Sequence, residues 1–134
     1  MEGAALAWMK VNAADFANLS LLGPPPALRA KLERAVLVST EEVPPDVVTI
    51  RSRVVLGEVA TAGQRREVVI VYPAEADAAA GYVSVLDPLG IALFGASIGD
   101  VIEFAGGEGA CRLRVERIVY QPEHWMRLNL VVGK

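Results

Sequence analysis

The sequence predicts an α+β fold, in which a short N-terminal helical hairpin precedes a five-stranded, mainly antiparallel sheet with one short helix across it. Three observations predict this. Before residue 39, apolar residues recur at spacings of three and four. After residue 46, β-branched runs alternate with Gly and Pro punctuation. Between two of those runs lies an uncharged stretch that opens on Asp87-Pro88 and closes on Gly95.

Asn12, with Asp15 at the third position inside the helix, marks a first helix over 13–22. Phe16, Leu19 and Leu22 supply its short apolar face. Gly23-Pro24-Pro25-Pro26 stops it, because proline lacks an amide donor and restricts the residue before it. A second helix over 27–38 places Leu28, Leu32 and Ala35/Val36 on one side and charged residues between them. Ser39 to Asp46 is polar and twice broken by proline, which makes it a linker.

Strands are then expected over 47–56, 67–72 and 82–86, with 74–81 either a loop or a single helical turn. Asp87 is the expected N-cap of a helix over 89–94, Pro88 its first-turn proline and Gly95 its C-terminal stop. A fourth strand over 101–105 joins a fifth over 110–120 through Gly106-Gly107-Glu108-Gly109. In the fifth strand Cys111, Leu113 and Val115 alternate with Arg112, Arg114 and Glu116, after which the parity shifts, so a bulge or a change of packing face is expected near Glu116.

A chain of 134 residues fits one domain or one domain with a small appendage, here a hairpin over 1–40 and a sheet domain over 41–134. Hydrophobic residues make up 53 % and charged residues 22 %, a folded rather than a disordered composition. A net charge of −3 provides no overall basic field, so direct nucleic-acid binding is not expected. Membrane insertion is not expected either, since the longest uncharged run, Pro88 to Gly99, falls short of the ~20 residues a span needs. Met1-Glu2-Gly3 bears an acid where an export signal bears a base, which points to the cytoplasm. Cys111 is the sole cysteine and His124 the sole histidine, so a disulfide framework and a multi-cysteine metal site are excluded.

Most chemical motifs reduce to structural ones. Cys111 alternates with apolar neighbours and is expected to pack as a small hydrophobe. His124 is expected to be a solvated residue past the last strand. The glycine run at 106–109 lacks the Lys-Ser/Thr pair and the helix of a phosphate loop. Arg112, Arg114 and Arg117, with Arg51 and Arg53, define a basic sheet face whose partner would be an acidic protein surface rather than nucleic acid, because no aromatic residues interleave with them. The helix at 88–94 has no charge on any side, so either it lies in a deep groove or one apolar side is open to a partner. An intact Asp87-Pro88 cap beside an exposed Leu89 or Ile91 would form a compact docking knob.

The run from Tyr82 to Phe104, with Asp87-Pro88, Ala92-Leu93-Phe94-Gly95 and Ile98-Gly99-Asp100 in order, resembles the C-terminal domain of bacterial Gre transcript-cleavage factors. Within that superfamily the chain is similar to the regulators of nucleoside diphosphate kinase. The matching residues are Pro45-Asp46-Val47-Val48-Thr49-Ile50-Arg51-Ser52-Arg53-Val54, Val71-Tyr72-Pro73-Ala74 and Tyr120-Gln121-Pro122-Glu123.

The resemblance implies an FKBP-like domain behind a short coiled coil, and binding to RNA polymerase at the rim of its secondary channel. The family's docking element falls on Asp87, Pro88 and Leu89. Gre factors hold a catalytic magnesium with two acids on a long coiled-coil tip, whereas the tip here is Gly23-Pro24-Pro25-Pro26. The expected function is therefore that of a non-catalytic transcription regulator competing with Gre-type factors, with Asp87, Pro88, Leu89 and Ile91 as its polymerase contacts and no cofactor or metal. The family name adds nucleoside diphosphate kinase as a partner, direct or indirect. The enzymatic alternative is a prolyl isomerase, or a stimulator of transcript cleavage through Glu41-Glu42. Oligomeric state is left open.

Overall fold

The computed structural model describes residues 9–106 and 109–126. In chain order the elements are β1 (Lys10–Asn12), α1 (Ala13–Leu21), α2 (Pro26–Glu33), β2 (Val36–Val38), β3 (Arg53–Glu58), β4 (Arg65–Val71), β5 (Tyr82–Ser84), α3 (Pro88–Leu93), β6 (Val101–Gly106) and β7 (Gly109–Tyr120). A helical turn over 122–126 follows. The large sheet has the order β5-β4-β3-β7-β6 and is antiparallel except where β4 meets β5. The expected α+β architecture stands.

Helix α1 begins as its cap residue requires: the Asn12 side-chain oxygen accepts the Asp15 backbone N–H at 2.8 Å. Helix α2 ends at Glu33, not at residue 38. Val36-Leu37-Val38 favours extended backbone and pairs in parallel with Lys10–Asn12 as a separate two-stranded sheet. The strand expected over 47–56 starts only at Arg53. Ahead of it, Thr49 N–H donates to Ser52 Oγ, Ser52 N–H donates to the Thr49 carbonyl, and Arg51 takes φ +70°. That closed turn breaks the regular ladder at 49–52, where backbone pairing with β4 is reduced to Arg51 N–H donating to the Ile70 carbonyl and Ile70 N–H donating to the Ser52 carbonyl. The stretch 74–81 holds two single turns of tight helix, Pro73–Glu75 and Ala78–Ala80.

Strand β7 changes register against β3 twice, once between Val55 and Leu56, where Glu116 is the extra residue. The bulge expected near Glu116 is therefore present. Gly106 pairs with Gly109 at the end of β6–β7, while Gly107 and Glu108, the centre of the expected turn, lie outside the described residues.

One apolar cluster runs through the molecule. Leu19, Leu28 and Leu32 of the two helices belong to the same buried cluster as Val54, Ile70 and Val115 of the sheet. Fully burying each leucine contributes on the order of 1.5–3 kcal/mol, so this shared cluster fastens α1 and α2 to the rest of the fold. Among the described residues no helix is long and apolar enough to cross a membrane.

Lys31 fastens α2 to α3. Its Nζ donates to the carbonyl oxygens of Ile91, Ala92 and Phe94 at 2.6, 3.2 and 2.7 Å, placing a cation where the end of α3 leaves carbonyls unpaired. Burial lowers the Lys31 pKa to about 8, against the opposing pull of Asp100. Between pH 8 and 10.5 the unfolded chain holds a proton that the folded chain has released, so this group makes stability rise with pH across that window. Chemical denaturation at pH 7.5 and pH 10 is expected to show wild type gaining about 2 kcal/mol relative to Lys31→Met. Parallel pH profiles for the two proteins would contradict this.

Candidate docking site at the start of the short helix

The site is built on the turn from β5 into α3. Ser84 organises that turn: its Oγ accepts the Leu86 N–H at 3.1 Å and its carbonyl accepts the Asp87 N–H at 3.0 Å. Asp87 then takes extended backbone at the N-cap position, Pro88 starts the helix, and the Ile91 N–H donates to the Asp87 carbonyl at 2.8 Å. The helix lies so close to the end of β5 that a Cβ on Gly90 would fall on the Ser84 carbonyl oxygen. Gly95, at φ +86°, carries the chain away in a conformation suited to glycine.

The four residues singled out by sequence are not equivalent. Asp87 and Pro88 are exposed, and the Asp87 side chain makes no hydrogen bond to the helix it precedes. Asp87 thus occupies the cap position while its carboxylate is left to solvent. Leu89 is only 8 % exposed and packs in the core with Leu93, contrary to the expectation of an exposed leucine, and Ile91 is half-buried. The uncharged helix therefore lies in a groove, and its solvent-facing end is the Asp87-Pro88 corner. Asp87 also stands at the lip of an open concavity of about 590 Å³ whose wall includes Tyr82, Val83, Arg66 and the turn at 76–81.

The other candidates separate as the register dictates. Paired positions place Arg53, Arg114 and Arg117 on the outer face of the sheet, with Arg112 opposite Glu103 on the same face. Arg51 is not part of it: it lies on the turn, 2.8 Å from Glu75 and over the Tyr72 ring. Cys111 is half-buried opposite Phe104, less enclosed than expected. His124 is also half-buried rather than solvated, and its N–H donates to the Gln121 side chain. Glu42 closes a capping box with Ser39, whose backbone N–H and hydroxyl, in that order, hold its carboxyl below the usual range. Among the described residues no group of three or more His, Cys, Asp or Glu is placed to hold a metal ion.

Sequence reasoning missed a buried polar clamp built on the residues that follow β7. Glu123 is 4 % exposed and accepts from Thr49 Oγ1 at 2.7 Å and from Asn12 Nδ2 at 2.6 Å. Gln121 donates to the carbonyls of Pro44 and Val47, both at 2.7 Å. Asp15, held by Asn12, accepts from the Tyr72 hydroxyl at 2.7 Å; burial, first, and this carboxylate raise the Tyr72 pKa. The sequence signal was the Gln-Pro-Glu run itself, polar residues with no periodicity to explain them.

The sequence model of the family described as "Transcription elongation factor, GreA/GreB, C-term" matches residues 43–120, more than half of the chain. The chain belongs to this GreA/GreB family. The matched span contains Asp87, Pro88, Leu89 and Ile91 with the strand and turn that position them. The regulator of nucleoside diphosphate kinase of Escherichia coli K12 is 43 % identical over 99 residues, covering 72 % of this chain and 71 % of that protein. Transcription elongation factor GreA of Clostridium botulinum (strain Eklund 17B / Type B) is 35 % identical over 88 residues, covering 66 % of this chain and 54 % of its own length. The chain thus matches about half of that GreA-type relative. Among solved structures, the prokaryotic transcription elongation factor GreA/GreB from Nitrosomonas europaea superposes with a TM-score of 0.75 at 32 % identity, over 85 % of this chain and 99 % of that one. The GreA/GreB likeness in three dimensions therefore reaches beyond the span matched by the family.

Proposed function

We infer that this GreA/GreB-family chain is a non-catalytic transcription regulator that docks on RNA polymerase at the rim of its secondary channel and competes there with Gre-type factors. The observation that carries this reading is the Asp87-Pro88 corner. An exposed carboxylate without an internal hydrogen bond stands on a helix that Gly90 fits against β5 and Lys31 caps from behind. Such a group is available to a basic partner, and the backbone that carries it is already held in place, which reduces the entropy lost on binding. Leu89 has a supporting role, since its side chain is spent on the core.

The hairpin tip, Leu21 to Pro26, contains no acid, so delivery of a magnesium ligand is not part of this function. The name of the Escherichia coli relative suggests an influence on nucleoside diphosphate kinase, which an effect on transcription would produce without a direct complex.

Core RNA polymerase immobilised for biolayer interferometry is expected to bind the wild-type chain and to release it on addition of a GreA factor. The double variant Asp87→Ala, Pro88→Ala is expected to bind at least ~10-fold more weakly with little change in Tm, because neither side chain supports the core. Wild-type affinity in the double variant would remove the docking assignment.

A further inference from the structure

The sheet ends at β6, which pairs with β7 on one side only. Its other side is a row of backbone groups with no neighbouring strand, and it has none of the lysines or prolines that usually blunt such an edge. Two surfaces flank this edge. On the inner side lies an open concavity of about 400 Å³, where Ala92, Phe94 and Ile102 supply apolar wall and Lys31, Arg34 and Asp100 supply charge. On the outer side Arg114 stands opposite Val101 and Arg112 opposite Glu103. Arg53 and Arg65 of the same face are paired with Glu67 and Glu116, but Arg112 and Arg117 form no ion pair with any described residue.

We propose that β6 accepts a strand from a partner protein, a segment in which acidic residues alternate with apolar ones. Side chains of an added strand alternate between the two faces of the sheet. Those on the inner side would enter the concavity beside Ile102, against its apolar wall of Ala92, Phe94 and Ile102. Those on the outer side would lie over Val101 and Ala105, within reach of Arg114 and Arg112, where carboxylates extend the Arg–Glu pairing already present on that face. Glu103 is the one acid in this row of β6 and opposes the incoming charge. A nucleic acid fits less well, because it cannot complete a peptide edge and the chain as a whole carries −3. This surface is separate from the Asp87-Pro88 corner and stands whether or not that corner binds polymerase.

The test uses the full chain and two blocked, fluorescein-labelled octapeptides, one alternating Glu and Val and one alternating Lys and Val. Fluorescence anisotropy is expected to show binding of the Glu peptide below about 1 mM and at least ~10-fold weaker binding of the Lys peptide. Amide hydrogen exchange over 101–106 is expected to slow in the complex. The double variant Arg112→Glu, Arg114→Glu should weaken binding ~10-fold or more, and Glu103→Gln should tighten it about two- to threefold. All three substitution sites are exposed, so a Tm near wild type shows that the fold is kept. The proposal is overturned by equal affinity for both peptides, by no binding, or by binding without protection of β6. Concentration-dependent protection of β6 without peptide would assign the edge to a second copy of the chain, and preference for a single-stranded RNA dodecamer would assign the arginines to nucleic acid; either result also overturns it.

Discussion

Replacing Glu123 by alanine is expected to lower the unfolding free energy by about 3 kcal/mol and the Tm by roughly 10 °C. The change removes one small side chain near the C-terminal end of the described fold, yet it breaks contacts that join three distant segments. Asn12 Nδ2 and Thr49 Oγ1 both donate to this carboxylate. Asn12 has no spare rotamer, because its side-chain oxygen already accepts the Asp15 N–H that caps α1. Without Glu123 its amide keeps only Asp15 as acceptor. Each hydrogen bond to a charged group contributes roughly 1.5–3 kcal/mol, and the substitution removes two of them.

Glu123→Gln separates hydrogen bonding from simple burial. The glutamine oxygen can accept from Asn12 while its amide donates to Thr49 Oγ1, and the Thr49 hydroxyl can turn to Ser52 Oγ, 3.0 Å away. This variant is therefore expected to cost about 1 kcal/mol, well below alanine. Urea denaturation of the three proteins measures the order. Equal losses for Gln and Ala would show that charge or packing, and not the two donors, sets the value of this position.

The clamp also shows why part of this molecule is legible in sequence and part is not. The partners of the α1 cap, Asn12 and Asp15, are three positions apart, and the cap is visible to any local reading. The same is true of the bulge at Glu116, because alternation breaks there. By contrast, Val36–Val38 carries a helical spacing and β-branched residues at once, and its state is decided by Lys10–Asn12, more than twenty positions earlier. Residues 47–52 look like strand by composition; what stops them is a turn in which the Thr49 N–H donates to the Ser52 hydroxyl and Arg51 is left-handed. Gln121 and Glu123 meet partners 74 to 111 positions away, beyond any periodicity. At the docking corner, the sequence located Asp87 and Pro88 correctly on a helix start but could not assign the faces of so short a helix. Burial of Leu89 depends on how deeply α3 lies in the sheet, and Gly90 sets that depth.

Gly90→Ala is expected to destabilise the fold by about 3 kcal/mol, and the sign is the informative part. Inside an exposed helix the same change would stabilise by roughly 0.5–1 kcal/mol, because alanine loses less backbone freedom than glycine on folding. Here the new methyl group would meet the carbonyl of Ser84, a backbone atom that cannot rotate away. That carbonyl also accepts the Asp87 N–H, so relief of the clash must move either the end of β5 or the start of α3. Either movement shifts Asp87 relative to the sheet and withdraws Leu89 and Leu93 from the core they share. Stability and polymerase binding are therefore expected to fall together in Gly90→Ala, whereas Asp87→Ala should lower binding alone. Thermal unfolding of the two variants beside the interferometry measurement makes the comparison. A Gly90→Ala protein as stable as wild type would show that α3 can lift from β5 freely, and the corner would then lose the rigid support on which its docking role depends.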